Sequence, residues 1–554
     1  MKPQPPVTRI RTARASSAEA GALEDFPLRG DYIDTWKNAL AESEWTPWLI
    51  IGLAAFLRFF LLGMKPPHFD EGINGWFVDQ MVKNGFYKYD PTNYHGPLHF
   101  YVLFLSQTLF GRNLWALRLP VVLVSISCVW LTLKFEPFAG RTVSRLAALA
   151  MAVSPGFVFY GRYSIHEVWL VLFTMLFFFG LFGLWKFGTA NYLWCAGMGL
   201  TGMILSKETY ILHIGCAVIA IAVCWVSNYF NKLEDSRPAT QTWDYVDLAV
   251  VTGTGIALIV FFYSGTFFHW DGVKGLYQAY LPWFKTGSEG HGHEKPWYYW
   301  LKLSARYEWP ALAGLILCLF SIRFKQMALR YLAIYGVGTV MAYSIIKYKT
   351  PWCIISIIWP FTFIFGAAAL ITPLIYKRVV YLISAILLTG SLGYCVWLNY
   401  FRCTTETEPY VYVQTYNDIY KFTDPILQAA HSDPQAYQLV GHIIRPSPYP
   451  LPWMLDDFGR VGYYEKDNLP DKLDADFLLV AQDKIKTVES KLHDSYYTVP
   501  VTIRPYQDPS KAYFSVRFRN FFPGRAHDFT GAKPTPSVSP ISSPSPSTSP
   551  TPSQ

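Results

Sequence analysis

Residues 97–111 read PLHFYVLFLSQTLFG, and whether this stretch crosses a membrane decides on which side everything after it lies. Its 15 residues reach about 22 Å as a helix, short of a hydrocarbon core of about 30 Å, so the segment reads as an interfacial or re-entrant helix. Around it the chain is strongly apolar: of 554 residues, 52% are hydrophobic, 18% aromatic and only 16% charged, with mean hydropathy +0.19. Such a composition argues against a string of soluble domains and predicts an all-α polytopic membrane domain. Apolar runs at 48–64, 118–134, 142–158, 167–186, 190–206, 209–229, 246–265, 308–323, 330–346, 353–375 and 379–400 predict about eleven transmembrane helices. If 97–111 does not span, the polar clusters around Asp70, His95, Arg162, Glu167, Lys207, His293 and Lys349 all face one compartment. If it spans, Asp70 and His95 are cut off from the others.

The flanks complete the layout. Residues 1–47 are polar and mixed in charge, with no apolar core after a basic start and no small-residue cleavage site, which predicts a cytoplasmic segment and an uncleaved anchor at 48–64. Basic connectors KFEPFAGRTVSR (134–145) and RFKQMALR (323–330) mark inside loops, leaving outer loops at 65–117 and 266–307 within a membrane domain at 48–402. An odd number of spans then exports the C-terminus. Segments QLVGHII, RVGYY, FLLVAQ and AYFSVRF within 403–526 alternate in hydrophobicity and predict a small exported α/β domain, with a helix near 415–430 and four or five short strands. Residues 527–554, ending in PTPSVSPISSPSPSTSPTPSQ, are too poor in apolar residues to fold and read as a disordered spacer. The net charge of +8 is scattered between apolar runs, which argues against a nucleic-acid partner. Seven of the eight cysteines fall in or beside those runs, without the spacing of a disulfide framework, a zinc site or an iron–sulfur site. No internal repeat is visible.

A charge at a membrane helix end needs water or a partner. The first outer loop opens with His68, Asp70 and Glu71 directly after the anchor. Asp70 or Glu71 there could act as general base on a hydroxyl, but a DE pair taken alone reads first as hydration of a helix end. Arg162, Lys207, Lys347 and Lys349 lie at helix ends on the same side and could offset a lipid phosphate's charge. Glu167 pairs with Arg162 or His166, and Glu208 with Lys207. In FKTGSEGHGHEKPWYYW, the residues His291, His293 and Glu294 sit close together; zinc or manganese would suit them, but the spacing is not the helical HExxH, and a glycine-rich acceptor-facing loop with Trp297 re-entering the interface is favoured. Asp70, Glu71, His95 and Glu167 could alternatively chelate Mg or Mn, so a divalent cation stays open as a cofactor. In the exported domain, Trp453 and the Asp456/Asp457 pair could bind an acceptor or pack back on the membrane domain.

The loop PPHFDEGINGWFVDQMVKNGFYKYDPTNYHGPLHFYVLF, followed by FGRNLWALRLP (110–120) and SPGFVFYGRYSIHE (154–167), resembles the GT-C glycosyltransferases, whose members include the dolichyl-phosphate-mannose protein mannosyltransferases and the aminoarabinose transferase. It resembles still more a bacterial and archaeal branch described as flippase-activity-associated, through YHGPL, SKET and YKTPW. The resemblance covers about 46–400. It departs from the aminoarabinose transferase at two cations: Ile73 and Asn74 stand where an Arg follows the DE pair, and His95 and Gly96 where a Lys precedes Pro-Pro-Leu. The resemblance implies a polyprenyl-phosphate sugar donor with its tail among the helices, and an acceptor hydroxyl on glycan, lipid or protein activated by Asp70 with Glu71. Departing phosphate would be met by Arg162, Lys207, Lys349 and His95, and the anomeric configuration would invert. His166, Glu167 and Glu208 would support the site. It implies an enzyme of the cytoplasmic membrane acting on its outer face, consistent with the absence of a nucleotide-binding motif.

Two other functions fit the same helices. A flippase or other transporter for lipid-linked sugars should place ionisable residues at the membrane midplane in broken helices, whereas here only Arg58 lies inside a run. A noncatalytic glycan assembly protein should tolerate loss of Asp70 but not of 404–526.

Overall fold

The computed structural model describes residues 43–231, 238–290, 292–465, 468–505, 507 and 509–529. The segment at 1–42, His291 and the tail from 530 lie outside the described residues.

Each of the eleven apolar runs is occupied by helix, and among the described residues six helices are long and apolar enough to cross a membrane: those within Leu114–Ala139, Glu167–Phe187, Tyr210–Phe230, Tyr245–Tyr263, Met327–Ile345 and Leu374–Phe401. The chain is an integral membrane protein. Several runs are interrupted where the sequence demands it. Ser154 caps a new helix through its side chain and Pro155 starts it, so the single span expected at 142–158 is two helices, Arg141–Val153 and Pro155–Tyr160. The run at 353–375 divides into a short 3₁₀ turn at Pro351–Cys353, a helix at Ile354–Gly366 and another turn at Ala368–Ile371. Helices Glu167–Phe187 and Ala190–Ser206 form a tight hairpin because Gly180 and Gly199 leave room for the facing backbone; a Cβ on Gly199 would meet Phe177 N at 2.5 Å.

The stretch around 97–111 becomes the helix Leu98–Phe110, capped in sequence by Gly111. It lies along the helix Phe69–Asn84 of the first loop. Phe100 stacks on Tyr87 and Phe77, Leu103 packs with Val78 and Leu117, and Ser106 Oγ donates to Ala116 O at 2.6 Å. Its N-terminal end touches Ser164 through His99, and the residue just past its C-terminal end, Arg112, pairs with Asp79. At 13 residues the helix is shorter than the six helices long enough to cross a membrane.

The C-terminal part is a small α/β unit built on one six-stranded sheet, order β2-β1-β3-β5-β4-β6, with β1 Gly441–Ile444, β2 Val461–Tyr463, β3 Phe477–Val480, β4 Ser495–Val501, β5 Ser510–Ser515 and β6 His527–Asp528. β2, β1 and β3 run parallel and the rest antiparallel. β1 and β3 are buried along their whole length because one face meets the helix Tyr420–Ser432 and the other packs on Val488 and Leu492, which is why they read as short continuous apolar runs.

Candidate functional site

The site begins at the N-terminus of the helix Phe69–Asn84. His68 is its cap: the Asp70 amide donates to His68 Nδ1 at 3.1 Å, and the His68 amide donates to Glu71 Oε2 at 2.9 Å, a capping box with histidine in the usual serine place. With Nδ1 accepting, Nε2 carries the proton and donates to Tyr412 O at 2.7 Å, so the ring is neutral. Burial lowers the His68 pKa further.

The two neighbouring carboxylates then part. Glu71 is fully buried and accepts both branches of Arg118, Nε at 2.8 Å and Nη2 at 2.7 Å, plus the Ser164 amide at 2.9 Å. Arg118 also caps the end of the first helix by donating to Leu62, Lys65 and Pro66 carbonyls. Burial works to raise the Glu71 pKa, but Arg118 and the hydrogen bonds outweigh it and hold it below the usual carboxylate range. Glu71 is thus a knot between three segments, not a free base as expected beside Asp70. Asp70 is 30% exposed at its side chain, lies 3.8 Å from the neutral His68 ring, and forms no ion pair with a Lys or Arg among the described residues.

The motifs YHGPL and SKET turn out to bind each other. His95 Nδ1 lies 2.9 Å from Glu208 Oε2, and the Gly96 amide donates to Ser206 O at 3.2 Å. A Cβ on Gly96 would collide with the Leu205 carbonyl, so this approach requires glycine. Lys207 forms a buried ion pair with Glu167. His166 stacks between His95 and His99, with centroids at 4.6 and 4.4 Å. Beneath this layer opens a cavity of about 440 Å³, whose polar lining includes His95, Lys207, Glu208 and Lys347 and whose walls include Trp283 and Trp352. Tyr94 lines it too, its hydroxyl pushed up to about 12 by burial and then by the Glu208 carboxylate, with Asp70 contributing.

Of the residues expected to meet a donor phosphate, His95 and Lys207 line this cavity, and Arg162 and Lys349 do not. Arg162 donates to Leu57 and Leu61 carbonyls at 2.9 Å under the Tyr400 ring, because the break at Ser154–Pro155 turns it toward the first helix. Lys349 is buried and donates to the carbonyls of Lys295 and Ile346; Lys347 faces the cavity in its place. The outer loop at 290–298 is pinned to the YKTPW segment: Glu294 bridges Tyr348, and the Lys349 amide donates to His293 O at 3.1 Å. His293 also hydrogen-bonds the Tyr412 hydroxyl, while Trp297 is exposed. Trp453 and the aspartates pack back on the membrane domain: Trp453 fills the space beside Gly75, Asp456 pairs with Lys83, and Asp457 with Arg112. Among the described residues no three His, Cys, Asp or Glu side chains converge as a metal ion needs. The four residues that might chelate Mg or Mn do not fit one, since Glu71, Glu167 and His95 are each bonded to a different partner.

The structure adds Arg118, which sequence reading passed over although a lone arginine in LWALRLP is a signal in itself.

A family model described as dolichyl-phosphate-mannose-protein mannosyltransferase matches residues 94–236, the span from YHGPL to beyond SKET. No curated protein matches the sequence. Among solved structures, ArnT from Cupriavidus metallidurans bound to undecaprenyl phosphate aligns with TM-score 0.56 at 15% identity, over 84% of this chain and 98% of that one. Its apo state aligns with TM-score 0.55 at 15% identity, over 84% and 97%. The likeness spans the membrane helices and the added C-terminal unit together, and the chain therefore carries the fold of the GT-C glycosyltransferase superfamily, within which its family match also falls.

Proposed function

We propose that the protein is a membrane glycosyltransferase that moves a sugar from a polyprenyl-phosphate carrier to an acceptor hydroxyl at the outer face of the cytoplasmic membrane, with the N-terminus cytoplasmic and the sheet-bearing unit exported. The observation that carries this reading is the state of the carboxylates. Glu71, Glu167 and Glu208 are each bonded to a basic side chain, whereas Asp70 is paired with no Lys or Arg among the described residues, has the neutral His68 ring beside it and stays partly open at a helix N-terminus. A carboxylate not tied up in an ion pair is what a general base must offer.

In the reaction the acceptor oxygen attacks the anomeric carbon from the face opposite phosphate, and its proton passes to an Asp70 carboxylate oxygen. The bond from the anomeric carbon to the phosphate oxygen breaks, its electron pair leaving with polyprenyl phosphate. Lys207, Lys347 and His95, at the cavity, offset the charge that builds there. Configuration inverts. The fold shared with a protein bound to undecaprenyl phosphate supports a prenyl carrier, and exposed apolar faces on the helices, such as Ile256 and Ile386, offer its tail a path.

Purified protein would be given a panel of polyprenyl-phosphate sugars with a cell-envelope acceptor extract, and release of polyprenyl phosphate followed for wild type and Asp70→Asn. Release that disappears in the variant supports the reading. Release that persists removes Asp70 as the base, and no release with any donor, accompanied by movement of sugar-lipid across reconstituted vesicles, replaces the transferase by a flippase.

A further inference from the structure

A second cleft, of about 400 Å³, opens between Gly292, Lys295 and Tyr299 of the outer loop, the linker through Tyr412 and Arg504 of the C-terminal unit. Arg504 lines it and Arg445 lies behind. Both are 3% exposed, and among the described residues neither is hydrogen-bonded to a carboxylate. Arg504 donates to Ser447 O at 2.7 Å and Arg445 to Gln507 Oε1 at 2.7 Å; Arg504 Nε and Arg445 Nε and Nη1 are left without a hydrogen-bond partner. The Arg504 guanidinium sits over the ring of Phe69, the residue before Asp70, at 4.4 Å. Lys295 adds a third cation on the same cleft. The acidic residues there are already engaged: Glu408 with Arg306 and the Tyr307 hydroxyl, Glu406 with the Tyr416 hydroxyl.

Buried guanidiniums without counterions are rare, because each costs several kcal/mol unless an anion joins it. Burial lowers both from 12.5 to about 10, and Arg445 lowers Arg504 further while Asp70 offsets part of that. Guanidinium forks match oxyanions in geometry as well as charge.

We infer that Arg445 and Arg504 form an oxyanion site that holds an acidic group of the acceptor, a carboxylate or phosphate, so that a neighbouring hydroxyl of the acceptor lies at Asp70. This deepens the proposed transferase reading and rests on it for the word acceptor; the anion site itself stands on the two arginines. A donor phosphate has its own cations at the lower cavity, and the arginines belong to the exported unit, which is why the acid is assigned to the acceptor.

The test is calorimetric binding of D-glucuronate and of inorganic phosphate to the full-length protein in detergent, with D-glucose as the neutral control and undecaprenyl phosphate in nanodiscs as the lipid arm. Binding of glucuronate or phosphate but not glucose, weakened about tenfold or more in Arg445→Gln and Arg504→Gln, is the expected result. Lys295→Glu, which leaves the buried pair in place, should weaken it as well and covers the case of an unstable arginine variant. Asp70→Asn should bind glucuronate as wild type does, so that loss of transfer and loss of anion binding are separately read. No binding of either soluble acid overturns the inference even if transfer is found. Undecaprenyl phosphate binding that depends on Arg445 while the soluble acids fail overturns the acceptor assignment. Soluble-acid binding without any transfer keeps the anion site and removes the transferase reading.

Discussion

The two cavities handle charge differently. In the one lined by His95, Lys207 pairs with Glu167 and His95 with Glu208, and Lys347 adds a cation that meets no carboxylate among the described residues. In the other Arg445 and Arg504 are buried with none. A matched pair is at rest when the cavity is empty, and can be tilted toward an incoming phosphate without refolding. An unmatched pair is at rest only when something else supplies the anion. Asp70 lines neither cavity and forms no ion pair with a Lys or Arg among the described residues, and the largest expected effect follows from that state: Asp70→Asn should lower the transfer rate about 10²- to 10⁴-fold while leaving the thermal unfolding midpoint unchanged. A drop in both would make Asp70 a second Glu71, and the distinction between the neighbours would fail.

Stability sharpens the contrast between the cavities. Lys207→Met leaves Glu167 buried and alone, and should cost about 3–5 kcal/mol by tryptophan-monitored unfolding in detergent, with much of it recovered in the double variant with Glu167→Gln. Arg445→Gln removes a charge that has no partner and should change stability by less than about 1 kcal/mol in the destabilising direction. Equal losses for the two variants would mean that the upper charges are compensated after all.

The surface that joins the two regions gives the next effect. The helix bearing Asp70 meets the C-terminal unit at Gly72 and Gly75, where an added Cβ would lie 2.5 Å from Pro450 Cα or inside the Trp453 ring. Gly75→Ala should therefore cost about 1–3 kcal/mol. It should also slow transfer, because displacing Trp453 shifts the helix end that aims Asp70. Unchanged kinetics in a destabilised Gly75→Ala protein would show that docking holds the fold alone.

How much of this was legible beforehand depended on sequence distance. The short helix at 98–110 follows from its apolar run, and β1, β2, β3 and β5 from short apolar segments in 403–526, because both signals are local. β4 was missed: Ser495–Val501 contains Pro500, which sequence rules discourage in a strand. Motif pieces were found but not their pairing. Nothing local says that Gly96 needs the end of the helix carrying Lys207, or that Glu71 will meet Arg118 across 47 positions rather than act beside Asp70. Arg162 and Lys349 were placed on the correct helix ends, yet their side chains turn to backbone carbonyls, a choice made by the break at Ser154 and by the strand-like pairing at 347–349.

Lys65 carries the smallest expected effect and tests whether an unmatched charge must always signal a ligand. Its ammonium nitrogen is buried between the Phe159 ring at 4.0 Å and the Tyr163 ring at 5.3 Å, with no hydrogen-bond partner, and burial followed by the Arg118 charge lowers its pKa from 10.5 to about 7. Unlike the arginines it can shed its proton, so it needs no anion. The unfolded chain holds that proton up to about 10.5 and the folded chain only to about 7, so the unfolded state binds more protons between those values and stability should rise with pH across the window. Lys65→Met should be more stable than wild type by about 1 kcal/mol or more near pH 6, and should lose the upward slope. A slope that survives the substitution would move the titration elsewhere. A slope that vanishes would confine the ligand argument to the guanidiniums, which have no such escape.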